Sequence, residues 1–333
     1  MFKLLYTSSE EQNNFGVSKV VSSLNAKLQE KKIKSIFSNN VLKLLLFKPD
    51  LIHINGCWKI RLILFFIFSK ILRIKIIISP HGMMDPASLN QKSLKKKIAL
   101  FLYQKTIFRN SDLIIVNSKI EKKNFLAIIK KAPNIVIIPH GVNIDEKFRI
   151  KNNKNKDLKF VFFSRIHKSK NLDTLIKLWK NDYFFEKLNL DIYGEILDRK
   201  YFSSLNISYV KNINYMGPLN NNIQQILSKY DVLIHPSKSE NFGLVIFEGL
   251  SSGLFLILNK SLEKKFLEKN NFAKNINFNS VELKNAIKKI MKNKRKIKSY
   301  FYKRNTLNYI KKNFDWKKIS NIYVKNYKEL LHK

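Results

Sequence analysis

The chain has 333 residues, of which 45% are apolar and only 9 are glycine and 7 proline. This composition predicts a folded protein of about two domains and excludes a disordered or collagen-like chain. The formal net charge of +39 is typical of chains that bind nucleic acid or an anionic membrane surface. The one cysteine, Cys57, excludes an internal disulfide and a multi-cysteine metal site, which indicates a cytoplasmic protein.

Lysine dominates the charge, since 55 of the 63 cationic residues are Lys and 8 are Arg. Such a bias is typical of AT-rich coding and indicates that part of the charge carries no function. The N-terminus lacks the apolar core and cleavage site of a signal peptide, so no export is expected. Residues 61–79 are the most apolar stretch, but three cations interrupt it and leave it shorter than a membrane span. We predict a buried helix followed by a strand there.

In the first part of the chain, short β-branched runs alternate with segments of helical period. Strands are predicted at 2–7, 51–56, 75–80, 112–118 and 134–141, and helices at 16–31, 58–72, 93–108 and 119–130. This alternation predicts a parallel sheet covered by helices. Residues 146–157 then lose the apolar period, which predicts the domain boundary.

The same pattern restarts in the second part of the chain. Strands are predicted at 158–164, 188–194, 213–217, 231–237 and 254–260, with helices from about 172, 221 and 243. Two doubly wound α/β domains follow, residues 1–142 and 158–312, joined by a linker at 143–157 and followed by a basic helical end. A ligand is expected at the carboxyl ends of the strands.

Two carboxylates, Glu240 and Glu248, flank Gly243 within the stretch HPSKSENFGLVIFEGLSSG (235–253). Asn241 or Ser239 is a plausible N-cap, and the first amides of the following helix favour phosphate. Glu248 falls among apolar helical residues, so it needs a hydrogen-bonding partner. The alternative interpretation is a capped helix in which one buried Glu has its hydrogen-bonding partner and no function. Eight helical residues span roughly 12 Å, which argues against a glycosidase pair.

A second cluster of candidates is cationic and lies in FFSRIHKSKNLDTLIKLW (162–179). Arg165, Lys168 and Lys170 follow a predicted strand, where they can neutralise a diphosphate. Lys168 is predicted to be an ordinary solvated lysine. Arg165 is less easily dismissed, because arginine is rare in this chain and this one ends an apolar strand. No Asp-x-Asp pair, Gly-x-Gly-x-x-Gly or P-loop is present, which excludes the usual dinucleotide and P-loop sites.

These two motifs resemble those of the family-4, or group 1, retaining glycosyltransferases of the GT-B fold, which make bacterial surface polysaccharide and lipopolysaccharide. PSKSENFGLVIFEGLSSG is similar to the Glu-x7-Glu signature, and SRIHKSKNLDTLI to the Arg-x4-Lys loop. Residues 79–105, 14–24 and 136–143 resemble the acceptor stretch, the N-terminal glycine loop and the domain crossover. The resemblance implies two Rossmann-like domains facing across a cleft, with a closing helix at 315–331 that returns to the first.

The resemblance also implies roles for individual residues. Arg165 and Lys170 would hold the donor diphosphate and stabilise the leaving nucleotide without metal. Glu240 would orient the transferred sugar through its 3- and 4-hydroxyls, and Glu248 would bind the ribose. His81 would lie near the reacting sugar and the acceptor.

Further donor-binding positions follow from the same resemblance. Gly16 would let the first-domain loop approach the diphosphate, and the segment Asn241, Phe242 and Gly243 would face phosphate or sugar. The loops that contain Gly194, Met216 and Gly217 would contact the base. The other histidines, His53, His140, His167 and His235, lack metal-ligand spacing and are predicted to be structural.

The chain also departs from the family pattern at several places. Phe15 precedes Gly16 where two glycines are usual, Asn241 replaces a small residue, and Phe255 replaces a proline. Residues 260–278 look shortened where the family has a loop with Gly and Pro. These differences fall on the sugar end of the predicted donor site.

The predicted function is a metal-independent, retaining hexosyltransferase that moves a sugar from a nucleoside diphosphate sugar to a glycan or lipid-linked acceptor. It would work in the cytoplasm, at the inner face of an anionic membrane, with no specific nucleic acid as partner and no cofactor. The alternative is a degenerate GT-B scaffold that binds polyanions or membranes. A sugar-nucleotide epimerase of the same fold is disfavoured, because both motifs match the transferase pattern together.

Overall fold

The computed structural model describes residues 2–10, 16–90, 93–131, 133–150, 157–219 and 221–332. The chain forms two compact units, Met1–Asn143 with Phe314–Lys333, and Ile144–Asn313. Each unit contains one six-stranded parallel sheet. The linker predicted at 143–157 includes positions 151–156, which lie outside the described residues.

Twelve strands occur in the described ranges. They are β1 (Lys3–Ser8), β2 (Lys34–Phe37), β3 (Leu51–Asn55), β4 (Lys75–Ser79), β5 (Leu113–Val116), β6 (Ile135–Ile137), β7 (Phe160–Phe163), β8 (Leu190–Tyr193), β9 (Ile213–Tyr215), β10 (Val232–His235), β11 (Phe255–Asn259) and β12 (Ala273–Ile276). Ten of them confirm the strands predicted from sequence. The two missed strands, β2 and β12, have four residues each and too few apolar positions to show a period.

The α-helices are α1 (Gly16–Glu30), α2 (Lys43–Phe47), α3 (Ile60–Ile71), α4 (Pro86–Leu89), α5 (Ser93–Ala99), α6 (Lys105–Arg109), α7 (Lys119–Ile128), α8 (Leu172–Lys180), α9 (Arg199–Ser204), α10 (Ile223–Leu227), α11 (Leu244–Ser251), α12 (Lys265–Lys269), α13 (Ser280–Lys292), α14 (Lys294–Lys298), α15 (Tyr300–Asn313) and α16 (Trp316–Leu331). A π-helical segment, Leu100–Gln104, joins α5 to α6, so the single helix predicted at 93–108 is interrupted. Within the described part of the chain, no helix is both long and apolar enough to cross a membrane.

The sheet of the first unit has the order β2-β1-β3-β4-β5-β6 and separates two hydrophobic clusters. Alternate residues of a strand enter different clusters, as the two-residue period of β-structure requires: Leu4 and Tyr6 enter one, and Leu5 the other. The first cluster is closed by α1 and α16, and the second by α2, α3, α6 and α7. The C-terminal helix is therefore part of the first unit's core.

Helix α3 corrects one prediction from sequence. We expected residues 61–79 to form a buried helix and then a strand, and β4 confirms the strand. In α3, however, only Leu62, Phe65 and Ser69 are buried. The expectation of a buried helix was wrong because the sheet covers one side of α3, and high apolar content alone does not show whether a second layer exists.

The sheet of the second unit has the order β12-β11-β10-β7-β8-β9. Its first strand, β7, lies beside its fourth strand, β10, so the strand order reverses between them. In doubly wound sheets, ligands bind beyond the carboxyl ends of the strands at such a point. The loops after β7 and β10 are therefore where the fold favours a site.

The basic C-terminal helices of this unit are anchored to the sheet by one buried carboxylate. Asp231 is fully buried just before β10, with Lys298 Nζ at 3.3 Å and Lys303 Nζ at 3.6 Å from its oxygens. Lys303 lies on α15, which packs against α11. Some of the lysines in this region thus have a structural role.

Candidate functional site

The candidate site of the second unit is built by three loops that follow β7, β10 and β11. The side-chain amides of Asn171 and Asn259 both donate to the carbonyl of Pro236, at 3.2 and 3.1 Å. Ser261 Oγ also donates to the carbonyl of Lys238 at 2.7 Å. These bonds hold the three loops in fixed positions at the carboxyl edge of the sheet.

Glu240 lies at the centre of these loops and is bound by two partners. Its Oε1 accepts from Lys170 Nζ at 2.6 Å and from His235 Nε2 at 2.9 Å. An ionised carboxylate only accepts hydrogen bonds, so Nε2 of His235 carries the ring proton. The side chains of Glu240 and Lys170 are each 12% exposed, and that of His235 is completely buried. This cluster joins the loops after β7 and β10.

The environment keeps Glu240 ionised. Burial by itself raises the pKa of a carboxyl, but the Lys170 ammonium and the hydrogen bond from His235 outweigh it, and the pKa of Glu240 falls well below its usual value. A carboxylate that stays charged at neutral pH is a strong acceptor for hydroxyl groups. Glu240 is therefore suited to bind a polyhydroxylated ligand.

Lys264 adds a second buried cation to this region. Its side chain is 7% exposed, and its Nζ lies 5.9 Å from the ring centre of Phe242 and 5.7 Å from that of Phe247. Burial lowers the pKa of Lys264, while the carboxylate of Glu240 acts in the opposite direction. Among the described residues, the ammonium has aromatic faces but no hydrogen-bond acceptor. It is available to an anion that enters the site.

Of the three cations predicted in the loop after β7, only Lys170 forms an ion pair with Glu240 in the described residues. His167 accepts a hydrogen bond from the amide of Ser169 and so caps the short 3-10 turn that carries Lys170. Arg165 and Lys168 are exposed on the same loop. Arg165 makes no ion pair or hydrogen bond within the described ranges.

Gly243 forms the N-cap of α11, which corrects the predicted caps. It has a φ of 78°, in the left-handed region that favours glycine, and neither Ser239 nor Asn241 caps the helix. Beside it, Phe242 is buried and stacks on Phe247 with ring centres 4.5 Å apart. A glycine turn and an aromatic stack therefore set the direction of the helix.

Glu248 lies on α11 among apolar residues. Ile246, Phe247 and Leu250 are buried, whereas Leu244, Val245 and Glu248 are partly exposed. Helix α11 therefore has one open side, and Glu248 is on it.

The loops after β8 and β9 hold the other predicted donor-binding positions. The amide of Gly194 donates to the carbonyl of Gly217 at 2.9 Å, and a Cβ on Gly194 would lie 1.8 Å from the carbonyl oxygen of Ser164. Gly217 has a φ of 85° and open space around it, and Met216 is half exposed. These backbone positions line the carboxyl edge beside β7.

In the first unit, His81 belongs to a neutral network at the carboxyl ends of β3 to β6. Its Nε2 donates to Asn55 Oδ1 at 2.9 Å, its Nδ1 faces Asn117 Nδ2 at 3.5 Å, and its ring stacks on His140 at 5.2 Å. Burial lowers the pKa of His81 to about 3. The imidazole is thus uncharged at neutral pH, with both nitrogens facing polar partners.

Gly16, the remaining predicted position, begins α1. It has a φ of 56°, and the amide of Val17 next to it donates to Glu10 Oε2 at 3.1 Å. The preceding positions 11–15, which include Phe15, lie outside the described residues. A carboxylate of the chain itself thus lies at the helix end where the resemblance implied a diphosphate.

Two residues of the Glu240 cluster were not identified from sequence. His235 was predicted to be structural, and it donates to Glu240; its place at the end of a strand, five positions before the carboxylate, was the available signal. Lys264 was hidden among 55 lysines, and its burial could not be predicted. No group of three or more His, Cys, Asp or Glu side chains in the described residues could hold a metal ion.

Comparisons with known proteins agree with this architecture. Residues 143–308 match the model of glycosyl transferases group 1, and residues 6–146 match that of glycosyltransferase family 4. An uncharacterized glycosyltransferase of Methanocaldococcus jannaschii is 27% identical over 290 residues, which are 80% of this chain and 72% of that protein. An uncharacterized 41.2 kDa protein in the cps region of Klebsiella pneumoniae is 26% identical over 239 residues, 68% of this chain and 64% of that protein.

Among solved structures, HepE of Anabaena in complex with UDP and glucose superposes with a TM-score of 0.76 at 18% identity, covering 99% of this chain and 100% of that chain. At that identity the likeness concerns the fold, which is the GT-B arrangement of two parallel α/β units. With the two family models together matching residues 6–308, the chain belongs to the group 1 glycosyltransferases of family 4.

Proposed function

We propose that the second unit binds a nucleoside diphosphate sugar at the three loops around Glu240, and that the enzyme transfers the sugar with retention and without metal. The acceptor is a glycan or a lipid-linked glycan in cell-surface polysaccharide synthesis. The observation that carries the proposal is the Glu240 cluster with Lys170 and His235 at the reversal of strand order.

The charges of the site suit a diphosphate. Lys170 and Lys264 have little solvent exposure and lie near the carboxylate of Glu240, and Arg165 lies exposed on the same edge. Three cations against Glu240 leave a net positive site. Lysine and arginine placed at the departing phosphates stabilise the negative charge that develops on them in the transition state.

The pairing of Lys170 with Glu240 affects donor binding. Lys170 Nζ lies 2.6 Å from Glu240 Oε1. A diphosphate competes with the carboxylate for this ammonium, and sugar hydroxyls supply donors to Glu240 in return. His235 holds the carboxylate in place during this exchange, because its own position is fixed by complete burial.

Retention follows from front-face attack in this scheme. The bond between the anomeric carbon and the phosphate oxygen breaks, the acceptor oxygen bonds to the same face, and its proton passes to the departing phosphate. The enzyme contributes cations and hydrogen-bond acceptors rather than a nucleophile. HepE in complex with UDP and glucose supports a nucleotide-sugar donor, and the cps-region relative supports a surface polysaccharide as product.

The membrane part of the proposal rests on charge. With a net charge of +39, the chain is attracted to the anionic cytoplasmic face of a membrane, where lipid-linked acceptors lie. Peripheral association at that face would keep the enzyme near its acceptor.

Calorimetric titration with UDP, GDP, ADP and CDP in EDTA at moderate salt tests the donor site. We expect one nucleotide to bind selectively, and Lys170→Met to weaken it by about tenfold or more, since a charge-assisted hydrogen bond is lost. Lys168→Met is the matched control, because Lys168 is exposed two positions away on the same turn.

The same titration distinguishes a donor site from the alternative function, a scaffold that binds polyanions. Binding of random oligonucleotides that equals nucleotide binding and collapses as salt rises would favour a polyanion-binding scaffold. Absence of binding to all four nucleotides would refute the donor site.

A further inference from the structure

The solvent side of α3 is apolar. Ile60, Leu64, Ile67, Phe68 and Ile71 are all exposed, and their spacing of four, three, one and three places them along one side of the helix. The opposite side, with Leu62 and Phe65, fills the core. Core packing therefore accounts for four of the nine apolar residues of this helix.

A second exposed apolar stripe runs from α5 into the π-helical segment. Leu94, Ile98, Phe101 and Leu102 repeat the same helical spacing, and Phe101 is 83% exposed. The inner side of the segment is fixed, since Tyr103 donates from its hydroxyl to the carbonyl of Trp58 at 3.1 Å. This contact places the segment beside the start of α3.

Helix α2 extends the same surface. Leu42 next to it and Leu45 and Leu46 within it are exposed, while Leu44 is buried. Inward side chains of α2, α3 and α6 all belong to one cluster. The stripes therefore face away from a common core, on one side of the first unit's sheet. We call the exposed apolar side chains of residues 42–46, 60–72 and 94–102 the apolar face.

The charged residues in the part of the chain that forms the apolar face are almost all cationic. Residues 31–111 contain 16 Lys and Arg but only two acidic residues, Asp50 and Asp85. Both carboxylates accept hydrogen bonds within the unit, from the amide of Lys3 and from Asn124. Exposed cations such as Lys59, Lys70 and Lys97 border the apolar stripes.

This combination matches a lipid surface better than a protein surface. Lysine is depleted from the cores of protein interfaces, whereas an interfacial membrane segment combines buried apolar side chains with lysines that reach the headgroups. A second copy of the chain would bring the same positive charges face to face in a two-fold dimer. An anionic bilayer is complementary to both the apolar and the charged parts.

We propose that the apolar face docks on an anionic lipid bilayer, with its leucine, isoleucine and phenylalanine side chains in the interfacial region and the bordering lysines at lipid phosphates. The proposal deepens the peripheral-membrane part of the proposed function and rests on it, but not on the chemistry of sugar transfer. It assigns membrane binding to α2, α3 and α5 with the π-helical segment.

Co-flotation of the full chain with vesicles tests this. We expect binding to phosphatidylcholine vesicles that contain phosphatidylglycerol, and much weaker binding to phosphatidylcholine alone. The triple substitution Ile71→Ser, Leu94→Ser and Phe101→Ser should reduce partitioning at least about 100-fold, because each large apolar side chain contributes substantially to burial in lipid.

A matched control exists in the second unit. Tyr209, Val281 and Phe301 are 81%, 69% and 73% exposed, against 68%, 71% and 83% for Ile71, Leu94 and Phe101. Their triple substitution by serine should leave partitioning unchanged. Because all six side chains are exposed, both variants should keep the unfolding midpoint of the wild type.

Several results would overturn the proposal. These are failure of the wild-type chain to float with anionic vesicles, equal loss in both triple variants, or salt-sensitive binding that the apolar-face variant retains in full. A change of oligomeric state in that variant, without a change in vesicle binding, would show that a second copy covers the face. Calorimetry on the same samples separates the two proposals, since nucleotide binding without flotation refutes only the docking surface, and the reverse refutes only the donor site.

Discussion

The two units have the same architecture, but they place different chemistry at the carboxyl edges of their sheets. In the first unit the uncharged side chains of His81, His140 and Asn55 contact one another at this edge, beside the buried carboxyl of Glu121, which accepts from backbone amides. In the second unit the edge carries Glu240 and Lys170 as an ion pair. The same fold therefore stabilises polar groups of low solvent exposure through contacts between uncharged side chains in the first unit, and through an ion pair in the second.

The electrostatic difference follows from the local partners. Burial without a countercharge lowers the pKa of His81 to about 3, so the imidazole is uncharged near neutral pH. For Glu240, Lys170 and His235 outweigh the same burial effect, and the carboxylate stays ionised. The net charge of the chain predicts neither outcome, because a few contacts at each sheet edge decide it.

The largest effect is expected at the ion pair of the second unit. Glu240→Gln keeps the shape but removes the charge that orients the sugar hydroxyls, so turnover should fall about 100-fold or more. At the same time the nucleoside diphosphate should bind more tightly, since Lys170 no longer has a competing carboxylate. Steady-state kinetics and calorimetry on the same variant measure the two effects.

Glu268→Gln is the control for this substitution. Glu268 is paired with Lys274 at 2.7 Å in the same unit, but both side chains are well exposed. An exposed pair contributes little, so activity and nucleotide affinity should stay at the wild-type level. Unchanged turnover in Glu240→Gln would remove Glu240 from the site.

The next largest effects are expected when a methyl group is added at Gly141 in the first unit or at Gly194 in the second. A Cβ on Gly141 would lie 2.2 Å from the ring of Trp316, the first residue of α16. Gly141→Ala should therefore displace this helix and lower stability by roughly 1–3 kcal/mol, while nucleotide affinity is unchanged. Thermal unfolding and calorimetry measure the two quantities.

Gly194→Ala is the counterpart in the second unit. Its added methyl would meet the carbonyl of Ser164 at 1.8 Å, at the sheet edge that carries the candidate site. Both stability and nucleotide affinity should fall. If Gly141→Ala weakened nucleotide binding as much as Gly194→Ala, the assignment of the donor site to the second unit alone would be wrong.

Much of the fold could be predicted from sequence, because most strands are short β-branched runs separated by helical segments. Strand β12 could not, since its sequence, AKNI, has two polar residues in four. The exposure of α3 could not be predicted either. An apolar helix such as RLILFFIFSK has the same pattern whether one side or both sides are covered.

For the candidate site, the sequence predicted individual residues but not the contacts between them. Glu240 and Lys170 stand in recognisable motifs, but the contact between them spans 70 positions, so no local pattern predicts it. The side chain of Arg165 makes no ion pair or hydrogen bond in the described ranges, so its role stays a prediction. Lys264 was missed because no local pattern predicts that its ammonium is buried against the stacked rings of Phe242 and Phe247.

The neutral histidines of the first unit should make its stability depend on pH. Burial lowers the pKa of His53 to about 3, against about 6.5 in the unfolded chain. Below pH 6.5 the unfolded state therefore binds a proton that the folded state does not, and stability falls as pH falls. Each such histidine contributes about 1.4 kcal/mol per pH unit between the two pKa values.

His53→Gln should remove one such contribution. Urea unfolding at several pH values below 6.5 should show a pH slope that is smaller by about one proton than in the wild type. His332 is exposed, so His332→Gln should leave the slope unchanged. An unchanged slope in His53→Gln would mean that His53 is protonated in the folded state.

The smallest effect is expected at Lys264. Its ammonium lies over Phe242 and Phe247 and has no protein acceptor among the described residues, so it is available to hydrogen-bond an incoming anion. Lys264→Met keeps the aliphatic packing and removes the charge, and we expect nucleoside diphosphate affinity to fall by roughly three- to tenfold. Lys265→Met is the control, since Lys265 is exposed on the same segment. If UDP and GDP bind unchanged but a donor with an acidic sugar is lost, Lys264 contacts the sugar carboxylate instead of the phosphates. If neither changes, the buried ammonium has only a structural role, and the charge that binds the donor comes from the loop after β7 alone.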